Sequence, residues 1–433
     1  MRRPALPRDA GSCLALIALS GLGLGCGART PLTVADAPPA DLSDASVPID
    51  DLPPPESICV EVPPGDEPLA LTLTFMVRVA SADVVLLVDV TGSMGDVVGQ
   101  LRLGLSRDLI PALRDAIPDL HLSVASFADF PVSPYGGGHD RVFRVLTPSS
   151  ADPEEARRGV AELTLQNGGD GPEAWIEALY QVATGAGRGR YVPRVDCPPL
   201  RFGAMCASQG RAPVVLLFTD ALSHAAPPAA ESYDPHRLGL TPAAYDETVG
   251  ALRAVGAHVL GLYPGPGVRV EARAALAAIA RDTGSLAGDG EPLVFDLGVH
   301  GDHLDEAVVR AVATWVDEAP LDVRLGFTDV PGDDVDARTL VESVRASGAI
   351  PSDGATGSGD TFNDVRPGTR VSFQLVLDLS AMPPCPEPIR VPLDAVLRAG
   401  GGARVAAQRI ELVVPAPDGR ACGSSPGGIP DGL

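Results

Sequence analysis

Asp89, Thr91 and Ser93 stand at alternate positions in the stretch Asp89-Val-Thr-Gly-Ser-Met94. Three oxygen-bearing side chains at this spacing suit a hard cation such as Mg²⁺, which takes oxygen ligands. Gly92 lets the backbone turn between them. Thr219-Asp220 brings two more oxygen donors, far along the chain. A third stretch, Asn167-Gly-Gly-Asp-Gly-Pro-Glu173, is a tight Gly/Pro turn carrying the carboxylates Asp170 and Glu173. Three remote segments could therefore deliver oxygens to one point.

The elements beneath these donors read clearly. Residues 84–88 form an unbroken apolar run, as in a strand buried on both faces, and 214–218 repeat the pattern before Thr219. In open α/β sheets, ligands bind at the carboxyl ends of such strands. From 94 to 318 helical and strand patterns alternate. Leu101, Leu105, Leu109 and Leu113 recur every fourth residue, predicting a helix that Pro111 kinks near its end. Further helices are predicted over 153–165 (Asp152 as N-cap), 174–183, 242–255, 271–281 and 304–316, and strands over 121–127, 258–263 and 293–295. Residues 185–212 read as a loop insertion. Such alternation predicts an α/β domain over 82–318, a doubly wound, Rossmann-like parallel sheet with helices on both faces. Strand patterns at 69–79, 321–327, 370–377 and 409–414 predict a β-sandwich built from 57–81 and 319–415, with the α/β domain inserted into it.

Composition narrows the function classes. The 433 residues carry 56 acidic against 33 basic side chains, a formal charge of −23. That argues against nucleic acid as a partner, since phosphate-binding surfaces need clustered cations. Every basic residue is arginine. A GxxxxGK[ST] nucleotide loop and a Schiff-base lysine are both excluded. Residues 1–26 read as an export signal, with Arg2, Arg3 and Arg8 before an apolar stretch and small residues leading to Gly25-Cys26. The Pro-, Asp- and Ala-rich residues 27–56 read as a disordered linker, and 416–433 as a flexible tail. Cys197 and Cys206 are close enough to pair within their loop; Cys59, Cys385 and Cys422 could supply one more bridge and one free thiol.

Several motifs resemble the von Willebrand factor A family, and in detail the A-like domain inserted in integrin β subunits. Asp89-Val-Thr-Gly-Ser-Met94 resembles its DxSxS metal-ion-dependent adhesion site (MIDAS), with Thr91 in place of the first Ser. Phe127-Ala-Asp-Phe-Pro-Val-Ser-Pro-Tyr135, Asp170-Gly-Pro-Glu173 and Phe218-Thr-Asp-Ala221 with Ser223-His224 are similar to later stretches of that domain, in the same order. Residues 362–373 and Cys385-Pro386 are similar to the integrin hybrid domain, which flanks the A-like domain on both sides. The Leu-Gly-Cys ending of the signal resembles a bacterial lipoprotein signal, with Gly23 where Leu is usual, and implies lipidation of Cys26.

By position, the resemblance implies a central Mg²⁺ or Mn²⁺ on Asp89, Thr91, Ser93, Glu173 and Asp220. It implies a second, Ca²⁺-type site on Asp129, Asp170, the Pro172 carbonyl and Glu173, with Gly168 where the family has Asn. A third site would use Asp96, although Val97 replaces the second acidic residue. The expected function is adhesion: an exported protein, lipid-anchored in the bacterial cell envelope, engages an Asp or Glu carboxylate of a protein partner through the central cation. Hydroxyl ligands leave such a cation electrophilic toward that carboxylate. Two alternatives stay open, an envelope scaffold with purely structural metals and a metal-assisted hydrolase using Glu173 as base. No GxSxG in a strand–helix setting and no HExxH motif supports an enzyme. His300-Gly-Asp-His303 reads as a helix start, Trp175 and Trp315 as core, and Asp333, Asp334 and Asp336 as a solvated turn.

Overall fold

The computed structural model describes residues 56–62, 67–104, 109–225, 232–265, 267–333, 335–380 and 388–414. The signal with Cys26, the linker before residue 56, the tail, Cys385 and Cys422 lie outside the described residues. Among the described residues no helix is long and apolar enough to cross a membrane.

The chain opens with β1 (Glu56–Glu61) and β2 (Leu69–Met76), then enters β3 (Ser81–Asp89). After β3 come α1 (Gly95–Gly104), α2 (Ile110–Ala116), β4 (Asp119–Phe127), β5 (Arg144–Ser150), α3 (Pro153–Ala161) and α4 (Trp175–Thr184). A small hairpin, β6 (Arg201–Phe202) and β7 (Ala207–Ser208), precedes β8 (Ala212–Phe218), α5 (Pro235–Leu238), α6 (Tyr245–Ala254), β9 (His258–Tyr263), α7 (Val270–Asp282), β10 (Val294–Asp296) and α8 (Leu304–Glu318). The remaining strands are β11 (Leu321–Asp329), β12 (Val341–Ile350), β13 (Thr356–Ser358), β14 (Thr361–Val365), β15 (Arg370–Leu377), β16 (Ile389–Ala399) and β17 (Arg404–Val414).

The fold is mixed α/β. One six-stranded sheet runs β10-β9-β8-β3-β4-β5, parallel throughout except that β5 lies antiparallel on β4. All of β3 and all of β8 are buried, which explains their continuous apolar runs. They pair in register from Val84 on Val214 to Val88 on Phe218. Equal register brings Asp89 and Thr219 to the same carboxyl edge.

The β-region holds a six-stranded sheet, β1-β17-β16-β11-β14-β13, and a three-stranded sheet, β12-β15-β2. Because β2 pairs with β15, the chain starts this region, leaves it for the α/β sheet and returns at β11. The two β-sheets meet through aromatics. Phe373 of β15 packs edge-on against Phe362 of β14, centroids 5.2 Å apart, and against Phe75 of β2 at 6.3 Å. Burying one such ring stabilises by roughly 1.5–3 kcal/mol.

Several elements depart from the sequence reading. The predicted helix through Leu101 and Leu113 is two helices among the described residues, and Pro111 opens α2 instead of kinking a longer one. A first-turn proline has no N–H to lose. The helix predicted from 242 begins at Tyr245. The loop insertion contains the β6–β7 hairpin, closed by a Cys197–Cys206 disulfide with Cα atoms 5.3 Å apart. Strands β12 and β16 were not legible. β12 is mostly solvent-facing and rich in Ser, Gly and Ala, while β16 carries Pro392 and a buried Asp394. Asp394 is tolerated there because Arg409, its register partner on β17, holds both carboxylate oxygens at 2.8 and 2.9 Å.

Candidate metal centre

The site begins where β3 runs out. The Val90 N–H still reaches the Phe127 carbonyl at 3.0 Å, and then Gly92–Met94 makes one 3₁₀ turn into α1. Asp89 is fully buried at this turn. Its Oδ1 accepts from the Thr91 N–H (2.9 Å) and the Thr91 hydroxyl (2.7 Å), and its Oδ2 accepts from the Thr219 hydroxyl (2.7 Å). Burial pushes its pKa up to about 6 against those bonds, and the Asp220 charge adds to the rise. Ser93, exposed on the turn, donates to Asp220 Oδ1 at 3.0 Å across two segments remote in sequence. Burial also raises the Asp220 carboxyl.

Glu173 arrives from the Gly/Pro turn before α4. Three bonds pin it there. Its own N–H reaches the Leu222 carbonyl (2.7 Å), the Ala174 N–H reaches the Ala128 carbonyl (3.0 Å), and the Trp175 indole reaches the Ala221 carbonyl (3.2 Å). Trp175 is thus core packing that also fixes the loop after Asp220. At Gly168, φ is +65°, and a Cβ there would lie 2.7 Å from Glu173 Oε1. Only glycine combines that backbone with that clearance. Glu173 is 4 % exposed, and its Oε2 is buried without a hydrogen-bond partner. Burial first, then the charges of Asp89, Asp129, Asp170 and Asp140, drive its pKa to about 10. A buried carboxylate among four others, with an orphaned oxygen, fits a divalent cation as its counter-charge.

A second constellation lies behind this one. Asp129 is fully buried; its Oδ1 accepts from the Phe130 N–H (2.6 Å) and the Tyr233 hydroxyl (2.5 Å). Its Oδ2 lies 3.3 Å from His224 Nε2, which is also 3.2 Å from Asp170 Oδ1. The His224 ring nitrogen thus faces both aspartates, hydrogen-bonded to Asp170 and ion-paired with Asp129. Burial raises both aspartates, and His224 opposes the rise in each. The His224 ring is 1 % exposed and packs on Tyr233 (4.1 Å) and Tyr135 (5.1 Å). Burial, then Asp129, holds the Tyr233 phenol well above its ordinary pKa.

Among the described residues, Asp129, Asp170 and His224 form a group whose ligand atoms all lie within 4.8 Å of one another. Asp89, Glu173 and Asp220 do not form such a trio. The Thr91 and Thr219 hydroxyls hold Asp89, and the Ser93 hydroxyl holds Asp220. Pro172 sits half-buried in the turn beside Glu173. Asp96 faces an imidazole, not a second carboxylate: its Oδ2 lies 2.5 Å from His300 Nδ1, on the 3₁₀ turn Val299–Gly301 before α8. A cleft of about 430 Å³ opens over Ser93 and Asp220, lined further by Asp96, Arg269 and His300. His224 and Tyr233 were missed as working residues from the sequence. His224 follows Asp220 by four positions, but nothing local ties it to Asp129.

No protein-family profile matches the sequence, and comparison with curated protein sequences finds no match. Solved structures do resemble it. Proximal thread matrix protein 1 from the mussel byssus is 15 % identical, with a TM-score of 0.33, over 59 % of this chain and 51 % of that one. The pilus adhesin SpaC from Lactobacillus rhamnosus GG, in its open conformation, is 12 % identical, with a TM-score of 0.34, over 79 % of this chain and 45 % of that one. The chain therefore spans about half the length of each. At these scores the likenesses establish neither family nor function.

Proposed function

We propose that this chain is a divalent-cation-dependent binding module of the von Willebrand factor A type, carried on a β-sandwich. The strand order, with a single antiparallel edge strand beside five parallel ones, supports that fold. The observation that carries the function is Glu173, a buried carboxylate with an orphaned oxygen beside Asp89. Asp89, Thr91, Ser93, Glu173 and Asp220 would hold Mg²⁺ or Mn²⁺. The bound cation supplies a Lewis-acidic position open to a carboxylate oxygen.

The chain's own residues do the rest. Thr91 and Thr219 orient Asp89, Ser93 orients Asp220, and the Trp175 and Leu222 contacts hold Glu173 in place. The cleft over Ser93 and Asp220 admits an acidic side chain of a partner protein, and Arg269 on its wall complements that charge. In this reading the module binds and does not turn over substrate. Export and lipid anchoring at Cys26 would place it in the cell envelope.

The test is an array of Asp- and Glu-centred peptides with Asn and Gln counterparts, probed with the full chain. Binding should require Mg²⁺ or Mn²⁺, prefer the acids, and vanish with EDTA and with Asp89→Ala. A protein of charge −23 repels acidic peptides without a bridging cation, so background is low. Binding that survives both EDTA and Asp89→Ala would refute the proposal, and no cation-dependent signal would favour a scaffold role.

A further inference from the structure

We propose that Asp129, Asp170 and His224 form a nitrogen-containing metal site that selects a borderline transition ion of the Zn²⁺ class over Ca²⁺ and Mg²⁺. The inference does not rest on the reading of the Asp89 site, because none of the three residues contributes to that set.

The donors are one imidazole nitrogen and two carboxylate oxygens, with all ligand atoms within 4.8 Å of one another. Asp129 and His224 are buried, and Asp170 is half-exposed at the edge, which leaves an entry path for an ion. The separations decide between two roles for His224. A charge-assisted N–H···O⁻ bond settles at about 2.7–2.9 Å. Here Nε2 stands 3.2 Å from Asp170 Oδ1, within hydrogen-bond reach but longer than that, and 3.3 Å from Asp129 Oδ2. Ligands at about 2.0–2.1 Å around a tetrahedral Zn²⁺ stand about 3.3 Å apart. The two His224–carboxylate separations match that spacing, and the aspartate oxygens lie within 4.8 Å of each other.

The outer contacts fit as well. The Phe130 N–H and the Tyr233 hydroxyl both occupy Asp129 Oδ1, so Oδ2 is left to face His224. An orienting donor on the far oxygen of a ligating carboxylate is a common support in metal sites. Tyr135 and Tyr233 pack on the imidazole and fix its plane. Ca²⁺ and Mg²⁺ prefer all-oxygen sets of six or more ligands, whereas imidazole suits Zn²⁺. His224 therefore changes the metal preference of two aspartates that an oxygen-only site would have given to Ca²⁺.

The experiment uses the full chain, stripped with chelator, saturated with Mg²⁺ and then given Zn²⁺ and desalted. Metal analysis should find a single retained zinc ion, and zinc-edge X-ray absorption should show imidazole outer-shell scattering. Excess Ca²⁺ should not displace the ion. Asp89→Ala should leave zinc retention unchanged. His224→Gln and Asp170→Asn should each weaken it by more than about 100-fold, the upper end of what losing even an outer-shell partner costs. Since His224 is buried and its variant could misfold, the absorption spectrum of the wild-type chain stands by itself. Zinc lost on desalting, a spectrum without imidazole, displacement by Ca²⁺, or unchanged affinity in a folded His224→Gln would each overturn the proposal.

Discussion

Glu173→Gln should abolish the effect of cations on stability and raise stability in their absence. Without a cation, the folded state must take Glu173 up as the neutral acid, because burial and four neighbouring carboxylates raise its pKa from 4.5 to about 10. The folded pKa lies above the unfolded one, so the penalty is absent below about pH 4.5 and grows as pH rises through neutrality toward 10. At pH 7 this amounts to about 3 kcal/mol against folding. Gln, neutral at every pH, removes that penalty. In EDTA at pH 7 the variant should therefore be more stable than the wild type, by up to roughly 6–12 °C in Tm for a domain of this size. At pH 5 most of that difference should disappear. Mg²⁺ at a hundredfold excess over its Kd should raise the wild type by about 2.7 kcal/mol and leave the variant nearly unmoved. The assay is thermal unfolding of both chains at pH 5 and pH 7, with EDTA or Mg²⁺. Equal destabilisation of Glu173→Gln under all four conditions would refute the reasoning, because it would make Glu173 a packing residue and not a counter-ion for a cation.

Two further outcomes follow from the packing around the site. Arg188→Ala strands Glu177, whose side chain is 1 % exposed and whose Oε1 sits 2.9 Å from Arg188 Nε; with the Gln181 and Ala243 N–H bonds remaining, the loss should be about 3 kcal/mol, read from the urea midpoint. A loss below about 1 kcal/mol would mean those two bonds suffice alone. Gly401→Ala places a Cβ against the Val255 carbonyl at φ +72°, where the turn between β16 and β17 meets the turn after α6; it should lower stability by more than about 1 kcal/mol in thermal melts.

Much of the α/β sheet was legible because its signals are local. The runs at 84–88 and 214–218 are apolar at every position, and that happens when both faces are covered. Asp152 was readable as a helix cap since the bond it makes, to the Glu154 N–H at 2.9 Å, lies within two residues. β16 was hidden for the opposite reason. Pro392 and Asp394 read as strand breakers until the neighbouring strand supplies Arg409. Asp96 shows the same limit. The family resemblance implied a third metal at Asp96, and the partner it meets among the described residues is His300, from the turn before the last helix.

The sequence by itself determined the chemistry on offer: hard oxygen donors at two strand ends and on one Gly-rich turn, no lysine, and a strongly acidic surface. Only the tertiary structure decided how those donors divide. Of its charged neighbours Glu173 feels Asp89 most strongly, while Asp129 and Asp170 gather around His224, which arrives from the loop after β8. That division depends on parallel strands β3, β4 and β8 lying side by side and ending at one edge. Parallel neighbours are joined by long crossovers, so the side chains that meet at that edge are far apart in the chain, and no local pattern records which of them will touch.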